Sequence, residues 1–396
     1  MWASILSRPP TLSVSATVPR PDWDVFCKVI DNLGDIGVCW RIARQLATEH
    51  GLRVRLWVDD LDRFRLLCPQ LDPTLPIQRL QGVEVCHWDD HLPLVTPAWV
   101  VLETFACRIP DAFIEQMAHL TPPPVWINLD YLSAEGWVAR FHEQASPHPY
   151  LPLTKYFFFP GFATDTGGLL REQDLRNRRA AFLASADLQC DWWRQLGLAR
   201  PLPGTLLISL FAYENPAISD LLHAWEVSER PVCCLVPWPC RLPAIEAFAG
   251  QPLKVGDVVR RGALEIRLLP FVEQSRYDRM LWLCDLNFVR GEDSFVRAQW
   301  AARPLVWQIY PQADFAHVVK LDAFLDLYCA ALPPTVGCLL RQFWQAWNAG
   351  RVERALWTTL AAGLPGLHEH AMRWDEELAL QDDLLSRLLG FSSSKL

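Results

Sequence analysis

Two stretches of the 396-residue chain carry side chains that could do chemistry. The first is Asp31-Asn32-Leu33-Gly34-Asp35-Ile36-Gly37, with two carboxylates four residues apart. Such a pair suits a cation, a general base or the capping of a helix. Gly34 and Gly37 partly fit a phosphate-binding turn, but Asp31 and Asp35 would repel phosphate oxygens. For an isolated match the simplest reading is an Asx turn at Asp31 and a helix cap at Asp35. The second stretch is Arg290-Gly291-Glu292-Asp293-Ser294. Here Arg290 offers a forked cation to a diphosphate, and Gly291 lets the backbone come close. Ser294 can donate to phosphate and Glu292 can accept from ribose hydroxyls. Asp293 also reads as an ordinary helix cap, and so does Ser294. Phe211, Tyr213 and Phe271 each follow a strand-like run and could sandwich a base; singly, each is a surface or core aromatic.

These residues need elements to hold them. Residues 25–30 form a short apolar run with β-branched members, which reads as a buried strand. Val38, Trp40, Ile42, Ala43 and Leu46 recur at helical spacing, and Gly51 stands where a helix cap is expected. Residues 53–58 are again strand-like, so the acidic loop belongs to a βαβ unit. It lies beyond a strand's carboxyl end, where open α/β sheets place their ligands. Further strand-like runs occupy 83–88, 99–105, 125–130 and 156–162, with helical segments at 111–120 and 134–144. The alternation predicts a largely parallel sheet covered by helices. A charged helical stretch at 171–198 opens a second half with strands at 205–210, 231–236, 264–269, 285–289 and 304–309. Its helices at 275–283 and 295–302 follow strands, which puts Arg290 to Ser294 at a strand-to-helix turn. From residue 339 the spacing is helical, as in a closing layer.

Apolar residues make up 51% of the chain, enough for sizeable cores, and the length suggests two or three domains. No apolar run is long enough to span a bilayer, and residues 1–20 read as a loose tail rather than a signal peptide. A net charge of −8 argues against a nucleic-acid footprint. Twelve scattered cysteines without paired CxxC motifs read as reduced thiols of a cytoplasmic protein. His87 and His91 have the spacing of a metal pair, but a loop after a strand explains them, and no metal site is expected.

Two long motifs narrow the reading. One runs from Phe26 through Ile30-Asp31-Asn32, Gly34-Asp35-Ile36-Gly37 and Trp40-Arg41 to Gln45-Leu46. The other is Arg290-Gly291-Glu292-Asp293-Ser294-Phe295-Val296-Arg297-Ala298-Gln299-Trp300-Ala301. Together they resemble the EarP family, bacterial protein-arginine rhamnosyltransferases that modify elongation factor P. The resemblance begins near Trp23 and extends almost to the C-terminus. It implies an α/β chain of GT-B architecture, two Rossmann-like domains facing across a cleft. Residues 1–22 would be a disordered extension. Residues 23–168 would carry the catalytic acids and the protein acceptor, and 169–396 the donor with closing C-terminal helices.

The resemblance also implies transfer of rhamnose from dTDP-β-L-rhamnose to an arginine guanidinium, with inversion and without metal or other cofactor. Asp31 and Asp35 would be the catalytic acids, joined by Glu292. Phe211, Tyr213, Phe271 and Gln274 would hold the thymidine end. Arg290, Gly291, Glu292, Asp293, Ser294 and Tyr310 would surround ribose and diphosphate. The chemistry is coherent with two acids: Asp35 as base and Asp31 orienting the guanidinium fork. Other functions fit the same fold: a nucleotide-sugar epimerase, a transferase with a non-protein acceptor, or a nucleotide-sugar sensor. The acid pair counts against the sensor, which has no need of it.

Overall fold

The computed structural model describes residues 20–30, 33–89, 92, 94–238, 240, 243–312 and 314–396. The first half opens with β1 (Trp23–Cys27), α1 (Gly34–Thr48), β2 (Val54–Val58) and α2 (Leu61–Leu67). It continues through β3 (Ile77–Leu80), β4 (Val83–His87), β5 (Val100–Thr104) and α3 (Asp111–Ala118). β6 (Val125–Leu129), α4 (Val138–Phe141), β7 (Ala145–Pro147) and β8 (Thr154–Phe158) complete it. Among the described residues the strands lie in the order β3-β4-β2-β1-β5-β6-β8-β7. All neighbours are parallel except the edge pairs β3/β4 and β7/β8. β1, β2, β5 and β6 are buried along their whole lengths, as their continuous apolar runs require. β3 is four residues, half exposed, with no apolar run to announce it.

The second half begins with α5 (Leu175–Ala184) and α6 (Ala186–Gln195). The helical stretch expected at 171–198 is two helices, divided at Ser185, whose extended backbone and side chain cap α6 through the Leu188 N–H. There follow β9 (Leu206–Leu210), α7 (Ala217–Glu226), β10 (Val232–Pro237), α8 (Pro243–Ala249) and β11 (Val258–Arg261). Next come β12 (Leu264–Leu269), α9 (Gln274–Leu283), β13 (Leu286–Arg290), α10 (Asp293–Gln299) and β14 (Leu305–Gln308). The strand order is β11-β12-β10-β9-β13-β14, with only β11 antiparallel. The chain closes with α11 (Ala316–Cys329), α12 (Pro334–Asn348), α13 (Arg354–Ala379) and α14 (Leu384–Lys395).

In each sheet the chain runs outward one way and then the other, giving a switch point between β1 and β5 and another between β9 and β13. Ligands of open α/β sheets bind in the crevice at such points. Here the two crevices face each other, which is the expected GT-B architecture.

The ends of the chain depart from the expected domain bounds. Residues 1–19 lie outside the described residues, but Arg20 is docked: it donates to the Pro97 and Ala98 carbonyls and stacks over Trp99. Residues 20–22, which the sequence assigned to the extension, are therefore ordered against the first half. At the other end α14, grouped above with the second half, packs on the first sheet. Phe391 meets the rings of Tyr156 and Phe158, and the Leu384 N–H donates to Leu169. An apolar helix face packs where uncovered sheet remains, whichever half it belongs to in sequence. Most cysteines are buried and none is paired. No described helix is long and apolar enough to cross a membrane.

Candidate active site

Asp35 occupies the first turn of α1, which starts at Gly34, earlier than the apolar spacing suggested. The capping position falls to Leu33, which makes no side-chain bond. Asp35 is therefore not the cap. Its buried carboxylate turns back toward the strand end: Oδ2 accepts the Ile30 N–H at 2.9 Å and Oδ1 accepts the Tyr131 hydroxyl at 3.3 Å. A carboxylate in a helix's first turn is also favoured by the dipole. Asp31 lies outside the described residues, and so does His91.

Across the cleft, Gly291 has φ +58°, a left-handed conformation that glycine adopts without strain, and the Trp307 indole N–H donates to its carbonyl at 2.6 Å. This turn aims Glu292 at the first half, where its Oε2 accepts the Leu132 N–H at 3.2 Å. Part of Glu292 still faces the cleft, yet both halves enclose it. Burial pushes its carboxyl up to about 8; the Leu132 N–H and Lys320 oppose this, and Asp35 and Asp130 reinforce it as like charges.

Two adjoining chambers meet at Gly34 and Glu292. The first, about 670 Å³, is lined by Phe211, Tyr213, Phe271, Gln274, Arg290, Asp293 and Ser294, together with Trp238 and Tyr277. The second, about 810 Å³, is lined by Asp35, Gly291, Tyr310, Tyr131, Trp307 and Lys320. Every described site residue expected from the sequence thus borders one chamber or both. Tyr310 falls in the second, its ring edge-on to Tyr213 at 5.6 Å.

Several side chains are engaged differently from the simplest expectation. Arg290 stacks on both Phe211 (4.4 Å) and Tyr213 (4.7 Å) and donates to the Ala212 carbonyl, so it fixes the aromatic wall. The Ser294 hydroxyl donates to the Arg290 carbonyl at 2.6 Å and accepts its N–H, closing the turn on itself. Asp293 bridges the two halves, pairing with Arg41 of α1 at 2.9 Å and Arg297 at 3.0 Å. Burial alone would raise its pKa, but Arg297 and Arg41 outweigh that and hold it below the usual range. The Gln274 amide donates to the Gly37 carbonyl and to Asp293, both at 3.2 Å. Arg41 also pairs with Glu172 at 2.8 Å, and its own side chain is fully buried.

Sequence reasoning missed Lys320 and Arg41 as site neighbours, and left Tyr131 between a cleft-lining residue and a solvated turn. Tyr131 carried a signal, because the run 127–131 ends in polar groups at a strand terminus. Arg41 stood out only as a charge within an apolar helix face. Lys320 carried none, since its helix comes into the cleft from beyond β14. Among the described residues no cluster of His, Cys, Asp and Glu could hold a metal ion.

Comparison with known proteins identifies the chain's family and fold. A family model described as "Elongation-Factor P (EF-P) rhamnosyltransferase EarP" matches residues 23–393. A protein-arginine rhamnosyltransferase of Pseudomonas aeruginosa is 49% identical over 370 residues, covering 93% of this chain and 98% of its own. A solved structure described as the structural basis for EarP-mediated arginine glycosylation of translation elongation factor EF-P is 37% identical. It covers 95% of this chain and 100% of its own, with a TM-score of 0.69. Arabidopsis thaliana UGT89C1 complexed with quercetin shares only 10% identity over 95% of this chain and 99% of its own. Its TM-score of 0.51 reflects a common fold.

Proposed function

The chain belongs to the EarP family and is a glycosyltransferase of the arginine-rhamnosylating kind; from that premise we propose that it moves L-rhamnose from dTDP-β-L-rhamnose to one arginine of elongation factor P. The observation that carries this reading is the pair of chambers meeting at Glu292, one walled by aromatics for a nucleotide and the other holding Asp35. Phe211, Tyr213 and Phe271 receive the thymidine end. The turn from Arg290 to Ser294 faces ribose and diphosphate, and the first-turn amides of α10 add donors that lack intrahelical acceptors. The acceptor arginine enters the second chamber, beside Asp35 and Tyr310.

A guanidinium is a poor nucleophile, with delocalised lone pairs and a pKa of roughly 12.5–13.8. Asp35 does not deprotonate it beforehand. It orients the fork and takes the proton as the carbon–nitrogen bond forms, when that nitrogen becomes far more acidic. Asp31, four residues earlier in the sequence, is assigned the fork's other edge. The anomeric carbon–oxygen bond to the diphosphate breaks in the same displacement, dTDP leaves, and the β-linked donor gives an α-linked product. Protein donors around the turn, without a metal, hold the charge that grows on the leaving diphosphate. With a translation factor as acceptor, the reaction belongs in the cytoplasm.

The direct test is the intact mass of the cognate elongation factor P after incubation with the enzyme and dTDP-β-L-rhamnose, without added metal. A gain of one deoxyhexose, lost with Asp35→Asn, is the expected result. No gain with active substrates overturns the acceptor assignment. Near-normal transfer by an Asp35→Asn variant that binds both substrates overturns the base.

A further inference from the structure

Asp35 is held from the far side of a switch point by a residue to which no role has yet been given. The loop after β6 sends the Tyr131 hydroxyl to Asp35 Oδ1 at 3.3 Å, and the next residue's N–H to Glu292 Oε2 at 3.2 Å. One dipeptide therefore touches the acids of both halves. The Tyr131 ring is itself fixed. It stacks on Phe105 with centroids 4.4 Å apart and planes 13° from parallel, and its backbone N–H donates to the Asp130 carboxylate at 2.7 Å. Phe105 stands at φ +54° and Ala106 at φ +51°, left-handed conformations that cost a non-glycine residue about 1–3 kcal/mol. Such strain persists only where the surroundings over-determine it. Here the Phe105 N–H donates to the Leu129 carbonyl at 2.7 Å, locking the strand end that supplies the tyrosine.

We infer that Tyr131 is the positioning residue for Asp35: with the Ile30 N–H on Oδ2 and the Tyr131 hydroxyl on Oδ1, the carboxylate plane is fixed so that a remaining lone pair meets the acceptor nitrogen. Leu132 ties Glu292 to the same loop, so both acids take their places together when the halves close. The inference rests on Asp35 being the base. A phenol that donates to a carboxylate favours its ionised form, so the hydroxyl keeps Asp35 ready to accept a proton. Among the described residues, ionisable groups near it include Glu292 from the opposite half, Asp130 beside Tyr131, Lys320 from α11, the Tyr310 phenol and the Cys27 thiol of β1. Burial keeps that thiol protonated.

The test is transfer kinetics for the native enzyme, Tyr131→Phe, Tyr131→Leu and Asp35→Asn across the pH range, with donor binding measured alongside. For Tyr131→Phe, kcat falls about tenfold with an unchanged KM for the nucleotide sugar. The acidic limb of its kcat profile moves up by about half to one pH unit. A ring that only packs on Phe105 gives a different pattern: Tyr131→Phe behaves as native and Tyr131→Leu alone is impaired, which overturns the inference. A lower kcat with an unshifted acidic limb overturns it too. If the native enzyme transfers nothing to elongation factor P, the functional reading falls and takes the inference with it. If transfer survives in Asp35→Asn, only the base and its positioning residue are lost.

Discussion

Glu292 offers the sharpest quantitative test, because its carboxyl is pushed up to about 8 by burial between the two halves and by Asp35 and Asp130. A carboxyl with a raised pKa in one state favours that state while protonated. The contribution is complete below the ordinary carboxylate pKa and is lost as pH rises through about 8. The protonated fraction falls from about nine-tenths at pH 7 to about one-tenth at pH 9. A diphosphate bound beside Glu292 prefers the neutral form, so affinity for the nucleotide sugar should drop about tenfold over that interval. The sugar diphosphate is a diester and does not titrate there. The nearby Asp293 is held low by its arginines, and the Tyr277 phenol is pushed well above its ordinary value by burial, so neither crosses the window. Calorimetric titration at several pH values reads the effect. Glu292→Gln keeps an acceptor for the Leu132 N–H but cannot ionise, so its affinity should be flat with pH. A flat native profile, or a slope that survives in Glu292→Gln, refutes the reasoning.

Two further substitutions probe the contact between the halves. A Cβ at Gly37 would lie 3.2 Å from an Asp293 carboxylate oxygen and 3.4 Å from the Gln274 amide nitrogen. Gly37→Ala should therefore leave α1 intact while lowering kcat/KM for the donor about fivefold, equivalent to about 1 kcal/mol of overpacking at closure; unchanged kinetics would show that the halves need not approach this closely. Arg41→Gln removes a buried cation that pairs with both Glu172 and Asp293. Breaking one side of such a network costs about 3–5 kcal/mol, so the thermal midpoint should fall by roughly 5–10 °C. A midpoint within a degree or so of the native value would mean that the ion pairs hold nothing.

Much of the site was legible because open α/β sheets put their chemistry at strand ends. Asp35 after β1, Phe211 and Tyr213 after β9, and the turn from Arg290 to Ser294 at the end of β13 could each be placed by recognising a strand and reading the next few residues. What one strand end cannot announce is its partner across the cleft. The Leu132 N–H that meets Glu292, and the Arg41 that meets Asp293, are set by how two separately folded sheets face each other, and no periodicity in the chain encodes that. The capping reading of Asp35 failed for a local reason. α1 starts a residue before Asp35, so the carboxylate lies inside the first turn, where it reaches back to Ile30 instead of capping. The division at Ser185 is the same kind of case: a cap residue inside a helical pattern carries the boundary.

The side chains that tie the two halves together also couple donor binding to closure. Gln274 and Asp293 line the nucleotide chamber, yet their polar atoms also hold Gly37 and Arg41 of the opposite half. Any bond the donor makes to these groups is therefore made beside, or in exchange for, a bond between the halves. The Gln274 amide already gives its N–H groups to Gly37 and Asp293 and accepts from Arg44, which leaves only an oxygen lone pair, whereas a carboxylate has room for several partners; both contacts coexist if the donor approaches from the chamber side through these remaining acceptor positions. In that arrangement the donor stiffens side chains that α1 also uses, and closure brings Asp35 and the Leu132 N–H to Glu292 in the same movement. Opening would free Glu292 to ionise, so higher pH should favour the open form through the same carboxyl that sets donor affinity. Donor binding and closure would then show one pH dependence, because one group carries both.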